Sequence, residues 1–197
     1  NSGYHRSHLV PAQHLASNPA ALRESYLLTN TVPQLPELNL SQWRKIENQI
    51  HRLAAASDST YIITGTLFDC DTIHHIGPNQ IAVPCATYKL AIAHKDQTIT
   101  TFAVILNNTP AATPQQVTLT ELESAWRTAR RIAQRERNMR QAVFRNKPAL
   151  QVAKLEEMDT LLTILDRLKD ELKPHCTQEP TQQQPLFDYT DPHTYRQ

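Results

Sequence analysis

In the opening segment NSGYHRSHLVPA, His5, Arg6 and His8 fall within a few positions ahead of Pro11. Imidazole and guanidinium groups so placed suit three roles: a catalytic edge, a metal site, or an ordinary strand end. Farther along, Asn30, Asn39 and Glu47 are polar residues bordered by apolar or rigid neighbours. A helix turns about 100° per residue, so Asn39, Trp43 and Glu47 drift by only about 40° per step along one side. Asn39 at a helix start and Glu47 two turns later can therefore face a common site. Each residue type also has a local use: Asn caps a helix or satisfies a turn, and Glu on a helix is solvated. A zinc reading would draw on His5, His8 and His14, or on His74 and His75. Adjacent strand residues point to opposite faces, which disfavours the second pair as a joint chelate.

The elements that must position these groups are legible in the pattern. Residues 3–10 read as a strand end. Asn18 and Pro19 break the next stretch into a loop and a short helix, before ESYLLTN returns to an extended pattern and TVPQLPELN forms a loop fixed by Pro33 and Pro36. From Leu40 to Ala56 the spacing of Trp43, Ile46, Ile50 and Leu53 gives one apolar helical stripe, with Ser41 or Asn39 as the cap. The runs TYIITGTLF, QIAVPCATYKLAIAH and TITTFAVILNN are rich in β-branched residues and predict at least three consecutive strands. Pro84 sets an edge or bulge in the second. Strands alternating with one strong helix define an α+β class.

After NNTPAATPQQ the character changes, with helices expected over 119–142 and 149–173 as a helical hairpin. In the second, Met158, Leu161, Leu165, Leu168 and Leu172 form a narrow seam that packs on the neighbouring helix or, alternatively, makes a homodimer. The expected division is a domain over 1–118, a helical extension over 119–176 and a flexible Gln/Pro-rich tail over 177–197.

Composition removes several classes. The 197 residues carry 20 Lys and Arg against 19 Asp and Glu, so no global field selects a polyanionic partner. The three glycines, Gly3, Gly65 and Gly77, are too few and too scattered for a Gly-rich phosphate loop. Cys70, Cys85 and Cys176 lack zinc spacing and read as unpaired thiols, with a Cys70–Cys85 bridge as the alternative. No apolar run reaches the roughly 18 residues of a membrane span. The pattern is already under way at residue 1, so an upstream part is expected. Between 127 and 147, seven arginines and Lys147 face one acid, Glu136. They suit either phosphate tracking or the cationic end of a helix whose first turn carries Glu121 and Glu123.

The order of motifs resembles the DNA/RNA non-specific endonucleases of the ββα-metal superfamily, the group that includes endonuclease G. Their signature is Asp-Arg-Gly-His followed by an apolar pair and Pro; HRSHLVP stands in its place with Arg6, His8 and Pro11 kept, His5 for the Asp and Ser7 for the Gly. The family's next positions match Asn30, Pro33, Gln34, Asn39, Trp43 and Glu47, and IGPN with Val-Pro and Tyr-Lys continues the match over 1–125. An arginine that the family carries four residues after the Glu is His51 here, with Arg52 beside it.

The resemblance implies a ββα-metal nuclease fold, a mainly antiparallel sheet flanked by helices, and a Mg²⁺-dependent phosphodiesterase acting on DNA and RNA. It makes His8 the general base and Asn39 the direct ligand of a Mg²⁺, with Mn²⁺ as an alternative ion. Glu47 would hold a metal-bound water, Asn30 would order the site, and Arg6 would contact the scissile phosphate or support the loop. The residue types suit these roles: a neutral imidazole takes a proton near neutral pH, and Mg²⁺ keeps most of its waters and needs few protein oxygens. A secreted or periplasmic location follows from the resemblance, with an organelle as the alternative. The competing reading is a weakened nuclease fold kept as a nucleic-acid or protein binding module.

Overall fold

The computed structural model describes residues 2–143 together with Thr163, Asp166 and Arg167, with side chains along the last helix described as far as Arg131. The helix expected over 149–173, its leucine seam with the homodimer reading, and the tail over 177–197 lie outside the described residues.

Two short strands, β1 (His5–His8) and β2 (Thr31–Gln34), pair antiparallel, with α1 (Pro19–Ser25) in the excursion between them. A π-type turn over Leu38–Trp43 leads into α2 (Arg44–Ala55). The main sheet comes next: β3 (Ser59–Leu67), then a small hairpin of β4 (His75–Ile76) and β5 (Ile81–Ala82), then β6 (Ala86–Lys95), β7 (Thr98–Asn107) and β8 (Gln115–Val117). Its spatial order is β3-β6-β7-β8, antiparallel throughout. The chain then enters α3 (Leu119–Val143).

β6 is central and buried on both faces, so its alternation is read by what each face meets. Tyr88, Leu90 and Ile92 pack with Leu122, Trp126 and Ala129 of α3. Ala91 faces the other way, with Phe102, Val104 and Leu106 of β7, against Trp43, Ile46 and Ile50 of the π turn and α2. The sheet is thus a middle layer with α3 on one side and α2 on the other. The stripe expected on α2 is the one it buries.

Local chemistry explains where the extended and capped segments differ from expectation. Asn18 accepts from the amides of Ala20 and Ala21 and Pro19 occupies the first helical turn, so α1 runs through Ser25 and takes the start of ESYLLTN with it. A 3-10 turn comes next at Leu28–Asn30, and only at Thr31 does the chain extend. TVPQ is β2 rather than loop, because a two-stranded ribbon leaves Pro33 on an edge where no amide donor is needed. Neither Ser41 nor Asn39 caps the helix: the Ser41 hydroxyl donates back to the Glu37 carbonyl, and Asn39 lies inside the π turn.

Cys70 and Cys85 are disulfide-bonded, which corrects the reading of unpaired thiols. The register supplies the reason: Leu67 pairs with Ala86, so the chain leaving β3 and the chain entering β6 are brought side by side. At the start of α3, Thr118 and Glu121 make a reciprocal capping box, and Arg127 pairs with Glu123 one turn later. Acids in the first turns and cations beyond them follow the helix dipole.

Gly65 lies opposite Tyr88 in the β3–β6 ladder, and a Cβ there would come within 2.5 Å of the Tyr88 hydroxyl oxygen. That ring is held against Trp126 at 5.1 Å between centres. Gly65→Ala is therefore expected to cost about 1–3 kcal/mol through overpacking, read as a lower urea midpoint with an unchanged slope.

Candidate active site

β1, β2 and α2 form a ββα unit, and the candidate site lies where β1 crosses the start of the helix. Three attachments hold the strand there. At its first residue, the Asn39 amide Nδ2 donates to His5 Nδ1 at 3.4 Å. At its last, the Trp43 indole Nε1 donates to the His8 carbonyl at 3.2 Å. One residue on, Lys89 Nζ donates to the Leu9 carbonyl at 2.8 Å and to the Thr64 hydroxyl at 3.0 Å.

Lys89, legible in the sequence only as part of the Tyr-Lys pair and with no role assigned there, is the buried cation that anchors this unit. It belongs to the β6 face that meets α2, is almost wholly buried, sits 4.7 Å over the Trp43 ring and lies 3.9 Å from Glu47 Oε1. The signal was a lysine in the middle of the apolar run ATYKLAIA. A charge there either breaks the strand or has buried partners. Burial pulls the Lys89 ammonium down to about 8, with Glu47 opposing. Burial also raises the Glu47 carboxyl, while Lys89, Arg44 and a hydrogen bond from Trp43 pull it back. Glu47 is therefore half-buried and paired with a buried ammonium rather than fully solvated.

Asn30 uses its whole side-chain amide on backbone. Oδ1 accepts from the Val10 amide, and Nδ2 donates to the carbonyls of Val10 and Ser25. It fixes the chain leaving β1 against the end of α1, so its chemical role is positioning. His8 sits at the end of β1 with its ring edge-on to Tyr26, at 5.4 Å between centres. His8 Nε2 is buried with no hydrogen-bond partner among the described residues. Arg6 is exposed and enters no ion pair among the described residues. The structure thus ties Asn39 to His5, Trp43 to the backbone of His8 and Glu47 to Lys89, leaving Arg6 outside these contacts.

The two departures in the signature have distinct surroundings. His5 touches Asn39 directly. Ser7 is wholly buried, and its hydroxyl has no partner among the described residues. His51 stacks on His14 at 5.4 Å, and burial, His51 and Lys89 lower the His14 imidazole below its ordinary value. No group of three or more His, Cys, Asp or Glu side chains converges on a metal position among the described residues, so His5, His8 and His14 do not assemble a zinc cage. The donor set fits a hard, hydrated cation better. With Nδ2 committed to His5, Asn39 offers its carbonyl oxygen, the kind of ligand Mg²⁺ accepts with few protein partners.

A ββα unit carrying His, Asn and Glu on an antiparallel sheet defines a ββα-metal nuclease fold. The model of the DNA/RNA non-specific endonuclease family matches residues 1–148, and the chain belongs to that family. It is similar to the mitochondrial nuclease EXOG of Danio rerio, 29% identical over 128 residues covering 59% of this chain and 37% of that protein. It is also similar to mitochondrial endonuclease G of Homo sapiens, 31% identical over 100 residues covering 46% of this chain and 34% of that one. The chain thus spans little more than a third of the length of these curated relatives. Among solved structures, the EndoG/EndoGI complex has the same fold, with a TM-score of 0.58 at 23% identity over 64% of this chain and 58% of that one. No described helix is long and apolar enough to cross a membrane.

Proposed function

We propose that this chain carries the catalytic centre of a metal-dependent nuclease that hydrolyses phosphodiester bonds in DNA and RNA with little sequence preference. The observation that carries the reading is the docking of β1 onto the π turn that leads into α2, which holds His8, with its unpartnered Nε2, beside the segment that bears Asn39 and Glu47. With no hydrogen bond committing it among the described residues, that ring nitrogen is left for a water or substrate atom.

In this reading His8 accepts a proton from the water whose oxygen attacks phosphorus. The bond to the 3′-oxygen breaks, and the departing oxygen takes its proton from solvent. Asn39 would hold a Mg²⁺ directly and Glu47 through water, and the bound ion supplies charge stabilisation on the phosphate and the departing oxygen. Mn²⁺ would serve the same donors. Asn30 and Lys89 hold the strand that presents His8. Arg6, exposed on β1, suits a phosphate oxygen with its guanidinium fork. Reading backbone phosphate rather than base edges leaves no sequence code.

The test is supercoiled plasmid and RNA incubated with the protein in Mg²⁺ or in EDTA. Cleavage of both, abolished by EDTA, is the expected result; intact substrates in Mg²⁺ would overturn the proposal. The competing reading, a nuclease fold kept for binding, draws on the buried Ser7 hydroxyl in the glycine position. A band shift without cleavage would favour it. The relatives' mitochondrial names support an organelle location over a secreted one, and the Cys70–Cys85 bond suits an oxidising compartment.

A further inference from the structure

Beside His8 the surface is unexpectedly apolar. Tyr26 is 63% exposed, Leu27 55%, Leu28 70% and Val10 44%, all within the segment that Asn30 staples together. Scattered apolar side chains on a surface need no explanation, but three consecutive ones joined by a fourth form a patch. The backbone beneath is ordered: Tyr26 donates to the Arg23 carbonyl, Leu27 to that of Glu24, and Asn30 to that of Leu27. The rings of Tyr26 and His8 meet edge to face, so one face of the phenol is not used by the imidazole.

We propose that Tyr26, flanked by Val10, Leu27 and Leu28, is a stacking subsite for an unpaired nucleobase next to the phosphate attacked at His8. The inference rests on the nuclease reading and adds to it a positioning residue, one that holds a base beside the attacked phosphate. The centre of the Tyr26 ring lies 5.4 Å from that of His8, so the phenol borders the place where a phosphate would sit beside the imidazole. Every base has a π-face, so stacking on tyrosine is tolerant of sequence, as backbone chemistry also is. A base in a duplex already has stacking neighbours and must be extruded to use the ring. Tyr26 would be a positioning residue, distinct from the groups that touch the reacting phosphate.

The test compares the wild-type chain, Tyr26→Ala and Tyr26→Trp on a single-stranded oligonucleotide and on the same backbone carrying a run of abasic sites. Tyr26→Ala is expected to raise KM for the base-bearing strand about tenfold with kcat kept. Tyr26→Trp should restore it, and on the abasic strand wild type and Tyr26→Ala should not differ. An equal loss on both strands, a fall confined to kcat, or no change would overturn the proposal. Binding of a 2-aminopurine strand, followed by fluorescence in EDTA, separates this inference from the nuclease reading. Quenching and tighter binding that depend on Tyr26 support the subsite even in a chain that does not cut. Absence of strand binding by the wild type overturns it.

Discussion

Replacing His8 by alanine is expected to lower the rate of phosphodiester cleavage by about 10²–10⁴-fold, the usual contribution of a positioned general base. The variant should stay folded, because Trp43 donates to the His8 carbonyl rather than to the ring, and Asn30 and Lys89 hold Val10 and Leu9 through backbone atoms. His8→Ala therefore separates chemistry from architecture: a normal urea midpoint and a normal affinity for uncleaved strand in EDTA should accompany the lost rate. Asn39→Ala should instead move the Mg²⁺ concentration needed for half-maximal cleavage upward. If both variants cut as fast as the wild type, the proposed assignment of base and metal ligand is wrong.

Lys89→Ala should have the largest effect on stability, a loss of about 3–5 kcal/mol, because it removes one partner of a buried ion pair. The Leu9 carbonyl and the Thr64 hydroxyl lose their donor in the same step, and the half-buried Glu47 loses its ion-pair partner. The strand that presents His8 is tied to the sheet by this ammonium, so activity should fall along with stability. A double-mutant cycle with Glu47→Gln would show the coupling: the pair of substitutions should cost less than the sum of the two.

The same lysine sets an alkaline signature. Its ammonium titrates at about 8 in the folded protein and at its ordinary 10.5 when unfolded. Between these values the unfolded chain holds the extra proton, so this group makes stability rise with pH across that window. Urea midpoints from pH 8 to 10 should carry that rising contribution, and it should vanish in Lys89→Met. An identical pH profile in the two proteins would show that Lys89 is not buried as described.

Much of this architecture was legible before any coordinates. The stripe of Trp43, Ile46 and Ile50 named both a helix and the face it buries, since a period of three to four residues leaves one side to cover. The β-branched runs named β3, β6 and β7, and Pro84 falls between β5 and β6, where a missing donor costs no ladder bond. The three-residue β8 was not legible, because a strand so short carries too little pattern. Nor was the end of α1, where Asn18 and Pro19 outweighed the extended look of the residues after it.

For the site, sequence by itself determined which residue types are present and in what order: His8, Asn30, Asn39, Trp43 and Glu47, with His5 and Ser7 departing from the signature. That order sufficed for the family, because several separated motifs in register are far more specific than one. Only the tertiary structure decided what each residue does within the fold. It turned Asn30 into a backbone staple and set His5 against Asn39. It drew Lys89, remote in the chain, under the loop after His8, and joined Cys70 to Cys85. The physical reason is common to all four: spacing along the chain reports only a side chain's local direction. A buried amide, ammonium or thiol is defined by the partner it meets, and that partner is supplied by strand register and helix docking.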